Sequence, residues 1–204
     1  MQIAILGATG RLGRAVTAAA VDTGHTVVAV VRRTGGVEAR SGVTERCLDL
    51  RDPVALAATL AGCGAVAVTI GTPPWSRQTV SAGLVAVLLE AMQRTEVRRL
   101  VVVSAFGIGD SGDRLPAPAR WLLALARPYA RDKAECELRV QSSDRQWTIV
   151  RPWLMRPGPA SAQVRATTDP PRPQVVTYAD VAAAIVAALA DASASGQVLY
   201  LSRR

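Results

Sequence analysis

Apolar positions along this chain alternate between two rhythms. Ile3-Ala4-Ile5-Leu6 is an unbroken apolar run stopped by Gly7, the mark of a strand buried on both faces. Residues 10–23 follow with Leu12, Ala15, Val16 and Ala19 at helical spacing, and Gly24-His25 ends them as a turn. Thr26–Val31 is the next apolar run. Strand, glycine-rich turn, helix and strand make one βαβ unit of about thirty residues.

The alternation continues. A short strand is predicted around Thr44–Leu48 and a helix from Asp52-Pro53, an N-cap followed by Pro at the first helical position, to Leu60. Ala65–Ile70 reads as a strand stopped by Gly71-Thr72-Pro73-Pro74, and Ser76–Arg94 as a long helix. Arg99–Ser104 is a strand, 105–118 a loop, and 119–141 a helix that restarts at Pro128. Trp147–Val150 is a strand, Asp180–Asp191 an Ala-rich helix, and Val198–Leu201 a last strand. This order argues for an open, mostly parallel sheet with helices on both faces. The expected fold is a single α/β domain over residues 1–204, Rossmann-type and doubly wound. Residues 153–178, rich in proline, are expected to be an irregular segment covering a substrate.

The first turn carries the first chemistry. Gly7-Ala8-Thr9-Gly10-Arg11-Leu12-Gly13 is G-x-x-G-x-x-G, directly after strand one and opening helix one. Gly7 permits the tight turn, Gly10 lets the backbone approach a pyrophosphate, and Gly13 lets helix and sheet pack closely. The helix N-terminus favours the phosphate charge. At the end of strand two, an NAD site would offer a carboxylate to the ribose hydroxyls. This chain has Val31-Arg32-Arg33 and no acid before Glu38. Guanidinium groups grip an extra phosphate, so Arg32 and Arg33, joined by Arg11, predict NADP(H) in preference to NAD(H). Asp49 either hydrogen-bonds the adenine amino group or caps the turn into Asp52-Pro53. Gly71 leaves room for the adenosine side.

Composition narrows the remaining classes. The formal charge is +8, yet the basic residues are scattered arginines with Lys133 as the sole lysine. They stand singly or in pairs with no run of five or more, and there are few aromatics for stacking, which argues against nucleic-acid binding. No apolar run approaches the roughly 20 residues of a membrane span, and no signal peptide is visible at the N-terminus. A cytoplasmic protein without membrane contact is expected. Cys47, Cys63 and Cys136 are irregularly spaced and His25 is the only histidine, so reduced thiols and no metal site are expected. No exposed apolar helix stripe is evident from the pattern, and a monomer or weak homodimer is expected.

The chain also resembles a family. The motifs are Gly-Ala-Thr-Gly-Arg-Leu-Gly-Arg at 7–14, Val-Val-Arg at 30–32 and Leu-Asp-Leu at 48–50. Val-Val-Val-Ser at 101–104, Trp-Thr-Ile-Val-Arg-Pro at 147–152 and Tyr-Ala-Asp-Val-Ala at 178–182 follow in order. Together they resemble the atypical short-chain dehydrogenase/reductases, and within them the small NmrA-like and biliverdin/flavin-reductase-like NAD(P)H-binding proteins. That resemblance implies the fold and a nicotinamide cofactor held by Gly7, Thr9, Gly10, Arg11, Leu12, Gly13, Arg32, Arg33, Asp49, Leu50, Gly71 and Lys133. It leaves the substrate open, because the family includes reductases, epimerase-like enzymes and redox-sensing regulators.

Tyr129 and Lys133 stand four apart, on one face of a helix. A phenol titrates near pH 10, and a nearby ammonium lowers that value. Tyr129 can then protonate a carbonyl oxygen as hydride arrives, while Lys133 also reaches the nicotinamide ribose. Ser104, at the end of strand five, is placed to hydrogen-bond the same oxygen. The three match the triad of active short-chain dehydrogenases. Trp75, Phe106, Trp153 and Met155 follow strand ends and are expected to line one apolar cleft. The expected function is an NADP-dependent reductase of a small apolar or aromatic carbonyl or conjugated molecule. The alternatives are a non-catalytic redox sensor and a cofactor-retaining isomerase, epimerase or cyclase.

Overall fold

The structure is a computed structural model that describes residues 1–73, 75–76, 79–161 and 163–203. Eight strands form one sheet in the order β3-β2-β1-β4-β5-β6-β10-β8. The strands are β1 (Gln2–Leu6), β2 (Thr26–Val31), β3 (Val43–Cys47), β4 (Ala65–Val68), β5 (Arg99–Val103), β6 (Gln146–Arg151), β8 (Val164–Thr167) and β10 (Gln197–Arg203). All neighbours run parallel except β8, which is antiparallel to β10. This is the Rossmann-type arrangement expected. Strand order reverses between β1 and β4, where such sheets bind their ligands.

The apolar runs of β1, β2, β4 and β5 are buried because helices cover both faces. Helices α1 (Arg11–Asp22) and α6 (Tyr178–Ala190) pack on one face with Ile3, Ile5, Val27 and Val101. Helices α2 (Pro53–Leu60), α3 (Ser81–Gln93) and α5 (Arg127–Gln141) pack on the other with Ala4, Leu6, Val66 and Leu100. Helix α4 (Ala117–Leu125) lies outside both layers, on a small cluster of Phe106, Leu115 and Tyr200.

Three boundaries differ from expectation, each for a tertiary reason. Helix α3 begins at Ser81, not Ser76, because the Asp132 carboxylate of α5 caps it there (of the residues between, Arg77 and Gln78 lie outside those described). The expected loop 105–118 contains a 3-10 helix, Gly109–Arg114, and α4 starts within its end. The segment 153–178 is not irregular throughout. It contains β8 and a two-stranded parallel sheet of β7 (Met155–Arg156) and β9 (Val176–Thr177). Strands this short carry no legible period, and their partners lie elsewhere in the chain. The segment is pinned to α6, where Ser161 N donates to Asp180 and Thr177 Oγ1 donates to Pro159 O.

Candidate active site

A cleft of about 760 Å³ opens where the strand order reverses. Gly7, Thr9 and Gly10 form one wall, Val30–Arg32 a second, Asp49–Arg51 a third and Thr69–Thr72 a fourth. Thr79, Val80 and Gly83, at the start of α3, close it.

The glycine loop is built to the limit of its space. Gly7 has φ +91°, a conformation that side chains rarely adopt, and a Cβ there would lie 2.7 Å from Ile70 Cγ1. A Cβ on Gly13 would lie 2.0 Å from the Gly7 carbonyl oxygen. Gly10 N donates to Gly7 O at 3.0 Å and stands as the N-cap of α1, with no side-chain cap and no acid in the first turn. The contrast with other helices is informative. Asp52 caps α2, Asp132 reaches α3 from α5, and Thr177 with Asp180 forms a capping box on α6. Among these four, α1 alone has no side chain on its first N–H groups, and its N-cap Gly10 lines the cleft, which meets the requirement for binding a pyrophosphate. The residues present therefore fit a dinucleotide. Arg14, which the motif reading left without a role, donates from Nε to Thr9 O at 3.1 Å and so braces this loop.

At the adenosine end, Arg32 lines the cleft and Leu50, mostly buried, forms its floor. Arg33 and Arg11 are exposed, outside the cleft lining, and Leu12 is buried in the core below the loop. Asp49 lines the cleft, but both its oxygens accept from the Arg51 guanidinium. That partner holds its carboxyl below the usual range. Arg51 is a cleft residue the sequence reading missed; an exposed arginine after a Leu-Asp-Leu run has no local signal of its position. Glu45 accepts from Gly35 N at 2.8 Å and Val37 N at 3.1 Å, folding the loop after β2 beside the arginines.

At the other end, Lys133 is 4% exposed and Nζ donates to Val103 O at 3.1 Å. A Cβ on Gly71 would sit 3.7 Å from that Nζ, so the amine lies directly under the cleft wall. Burial pulls its pKa down, against neighbouring Cys136, Asp132 and Glu137, which favour the ammonium. Ser104 is 6% exposed, and its Oγ has no hydrogen-bond partner. A buried orphan hydroxyl costs about 1–3 kcal/mol unless something meets it.

Tyr129 is half-buried one helical turn before Lys133. Its phenol departs from expectation: burial, with Asp132 nearby, pushes the pKa up. Lys133 turns its amine to Val103 O, and its charge does not offset that burial. Tyr129 is held as the neutral, proton-bearing form.

The four proposed substrate contacts are not brought together in the cleft, whose lining includes none of them. Phe106 is 5% exposed, edge-on to Tyr200 at 5.6 Å and to Trp153 at 6.0 Å between ring centroids. It is a core ring, drawn inward by two aromatic neighbours. Met155 packs against the α1/α6 layer, while Trp75 is fully in solvent at 85% exposure. Arg151, in the Val-Arg-Pro motif, is also buried. It donates to Glu137 at 2.7 and 2.9 Å, to Tyr200 Oη at 2.5 Å, and to Asp110. Burial opposes its charge, but the two carboxylates outweigh that and hold the guanidinium protonated.

A Rossmann-type sheet with an open α1 N-terminus at its switch point defines a dinucleotide-binding class of protein. Residues 7–192 match the model of the NAD(P)H-binding family, and the chain belongs to that family. Solved structures agree on the fold. The oxidoreductase ylbE from Lactococcus lactis is similar with a TM-score of 0.88 at 21% identity, covering 100% of this chain and 91% of that one. ChuY, an anaerobillin reductase from Escherichia coli O157:H7, has a TM-score of 0.83 at 25% identity, covering 100% and 97%. A short-chain dehydrogenase/reductase from Veillonella parvula has a TM-score of 0.81 at 18% identity, covering 99% and 94%. No curated protein matches the chain. Among the described residues no helix is long and apolar enough to cross a membrane, and no group of side chains could hold a metal.

Proposed function

We propose that this protein is an NADP(H)-preferring reductase that delivers hydride to a small apolar or aromatic carbonyl or conjugated compound. The observation that carries this reading is the unpartnered Ser104 hydroxyl, buried one residue beyond the Val103 carbonyl that anchors Lys133. Both groups stand at the C-terminal end of β5, where this fold places its reacting ligands. NADPH, when bound, would supply the hydride. Ser104 donates to the substrate oxygen and gains the partner it lacks. Tyr129, kept protonated by its burial, gives that oxygen a proton. Lys133 has two further donors for the ribose hydroxyls near Gly71. Arg32 meets the extra phosphate of NADP, and the open N–H groups of α1 meet the pyrophosphate. The reductase named for ChuY, similar along its whole length, supports the same reaction class.

A second reading is favoured by one feature: the Tyr129 hydroxyl has no hydrogen-bond partner among the described residues, and its pKa is moved away from the acid–base range. A protein that binds the nucleotide as a sensor would need nothing more of this side chain. Titration with NADPH and NADH, followed by tryptophan fluorescence, tests the shared part. NADPH is expected to bind at least tenfold tighter, and Arg32→Ala to erase most of that preference, since a charge-assisted bond is worth about 1.5–3 kcal/mol. Equal affinity for both nucleotides would overturn the NADP preference. A carbonyl screen with Tyr129→Phe then separates the two readings. Loss of turnover with unchanged nucleotide affinity supports the reductase; nucleotide binding with no turnover of any carbonyl supports the sensor.

A further inference from the structure

Strands β2 and β3 are parallel neighbours, yet the chain between them, residues 32–42, contains no helix. A parallel crossover usually carries a helix that packs it onto the sheet. This one has to be held by other means, and it begins with Arg32 and Arg33. Glu45 supplies a hold at both of its oxygens. It lies on β3 opposite Ala29, on the face where Val43 and Val37 pack against the α1/α6 core. Its Oε1 accepts from Gly35 N at 2.8 Å and its Oε2 from Val37 N at 3.1 Å. The two donors flank Gly36, and Gly35 has φ +76°, so the turn brings both N–H groups onto this one carboxylate.

The anchored turn presses on the glycine loop. A Cβ on Gly36 would lie 2.5 Å from Thr9 Cγ2. Arg14 spans the same junction, donating to Thr9 O at 3.1 Å and to Gly36 O at 3.5 Å. The two loops that line the cleft through Arg32 and Thr9 are thus packed together. Among the described residues Glu45 forms no ion pair, and neither do Arg32 and Arg33. The acid directs its charge to backbone N–H groups and leaves both guanidinium groups unpaired. Arg32 and Arg33 are fixed on one side by Val31, in the sheet, and on the other by Gly35.

We infer that Glu45 is a positioning residue for cofactor choice. By anchoring Gly35 and Val37 it holds Arg32 at the cleft wall, with Arg33 beside it, ready for the 2′-phosphate of NADP. The inference rests on the NADP(H) preference proposed above. Without the anchor, the cofactor has to order the arginine as it binds, which costs about two- to tenfold in affinity per immobilised side chain. The sign of the effect is diagnostic. A carboxylate acting directly on a bound phosphate would repel it, whereas one acting through an arginine helps it bind.

The test is fluorescence titration of the full chain with NADPH and, separately, with NADH. Glu45→Ala is expected to weaken NADPH binding about fivefold and to leave NADH binding where it was. Glu45→Gln, which keeps an acceptor oxygen, is expected to fall between Glu45→Ala and the parent. Where Arg32 and Arg33 are both replaced by alanine, Glu45→Ala is expected to change NADPH binding no further, because the arginines carry its effect. Unchanged NADH affinity also reports an intact glycine loop, which separates this loss from unfolding. If the parent prefers NADPH and Glu45→Ala keeps that preference, the inference fails while the cofactor reading stands. It fails likewise if both nucleotides weaken equally, if Glu45→Gln tightens NADPH, or if Glu45→Ala costs as much without the arginines as with them. A parent that binds both nucleotides equally overturns the NADP reading and this inference together.

Discussion

At the scale of single residues, the glycine loop is the part of the site most legible in the sequence. Its constraint is local: Gly7, Gly10 and Gly13 are shaped by one another across six positions. Gly13 is the most demanding of them, since any side chain would meet the Gly7 carbonyl at 2.0 Å. Gly13→Ala must push α1 away from the loop. The expected cost is about 3 kcal/mol, at the upper end for overpacking a rigid contact, with NADPH affinity lost alongside. Urea unfolding and the same fluorescence titration check both effects, and a variant that bound NADPH normally would refute the close packing. The aromatic residues were not legible in this way. Phe106 and Trp153 stand after strand ends as pocket residues do, yet Phe106 turns inward because Tyr200, far along the chain, offers its ring an edge. No periodicity encodes that choice.

At the scale of elements, alternation of strand and helix was readable because each carries its own period, but the ends were set from a distance. Helix α3 begins where Asp132 satisfies Ser81 N at 3.0 Å and Ala82 N at 3.1 Å. The donor pair and its acceptor are about fifty positions apart, so a local search for a cap finds the wrong residue. Buried Arg99 acts similarly at the far side of the sheet. Its guanidinium donates to Ala188 O at the end of α6, and also to Gln146 O and Thr148 Oγ1. The sequence shows only an arginine at the start of an apolar strand. Asp132 has a further consequence, because the α3 start that it fixes also lines the cofactor cleft through Thr79, Val80 and Gly83. Asp132→Ala leaves two buried N–H groups unmet and is expected to cost about 1–3 kcal/mol. NADPH affinity should fall with it, while Asp132→Asn, which keeps an acceptor oxygen, recovers part of both. The urea midpoint together with the titration decides. An alanine variant as stable as the parent would mean that α3 starts without help from α5.

For the whole molecule, the three thiols report how the layers hold together. Cys47 stands exposed on β3 at the sheet's edge, whereas Cys63 and Cys136 are buried on the α2/α3/α5 side. Burial pushes the Cys63 thiol up. The Cys136 thiol is pushed up to about 11, by burial first and by Asp132 and Glu137 next, with Lys133 and Arg139 pulling the other way. At pH 8 a thiol near 11 has only about one thiolate in a thousand, against roughly one in four for an ordinary cysteine. Sterically, Cys136 at 2% exposure is shut off until its layer opens, and Cys63 at 7% is largely shielded. A disulfide-exchange reagent is therefore expected to modify one thiol per chain within the mixing time and the other two at least a hundredfold more slowly. All three should react at once in urea. Because Cys63 and Cys136 share one core cluster that also packs against the cleft, saturating NADPH should slow both, by the factor through which binding stabilises the folded state. Mass spectrometry of the labelled peptides distinguishes the sites. Rapid labelling of Cys136 in the native protein would show that the α5 layer, and with it the position of Lys133, opens independently of the rest of the molecule.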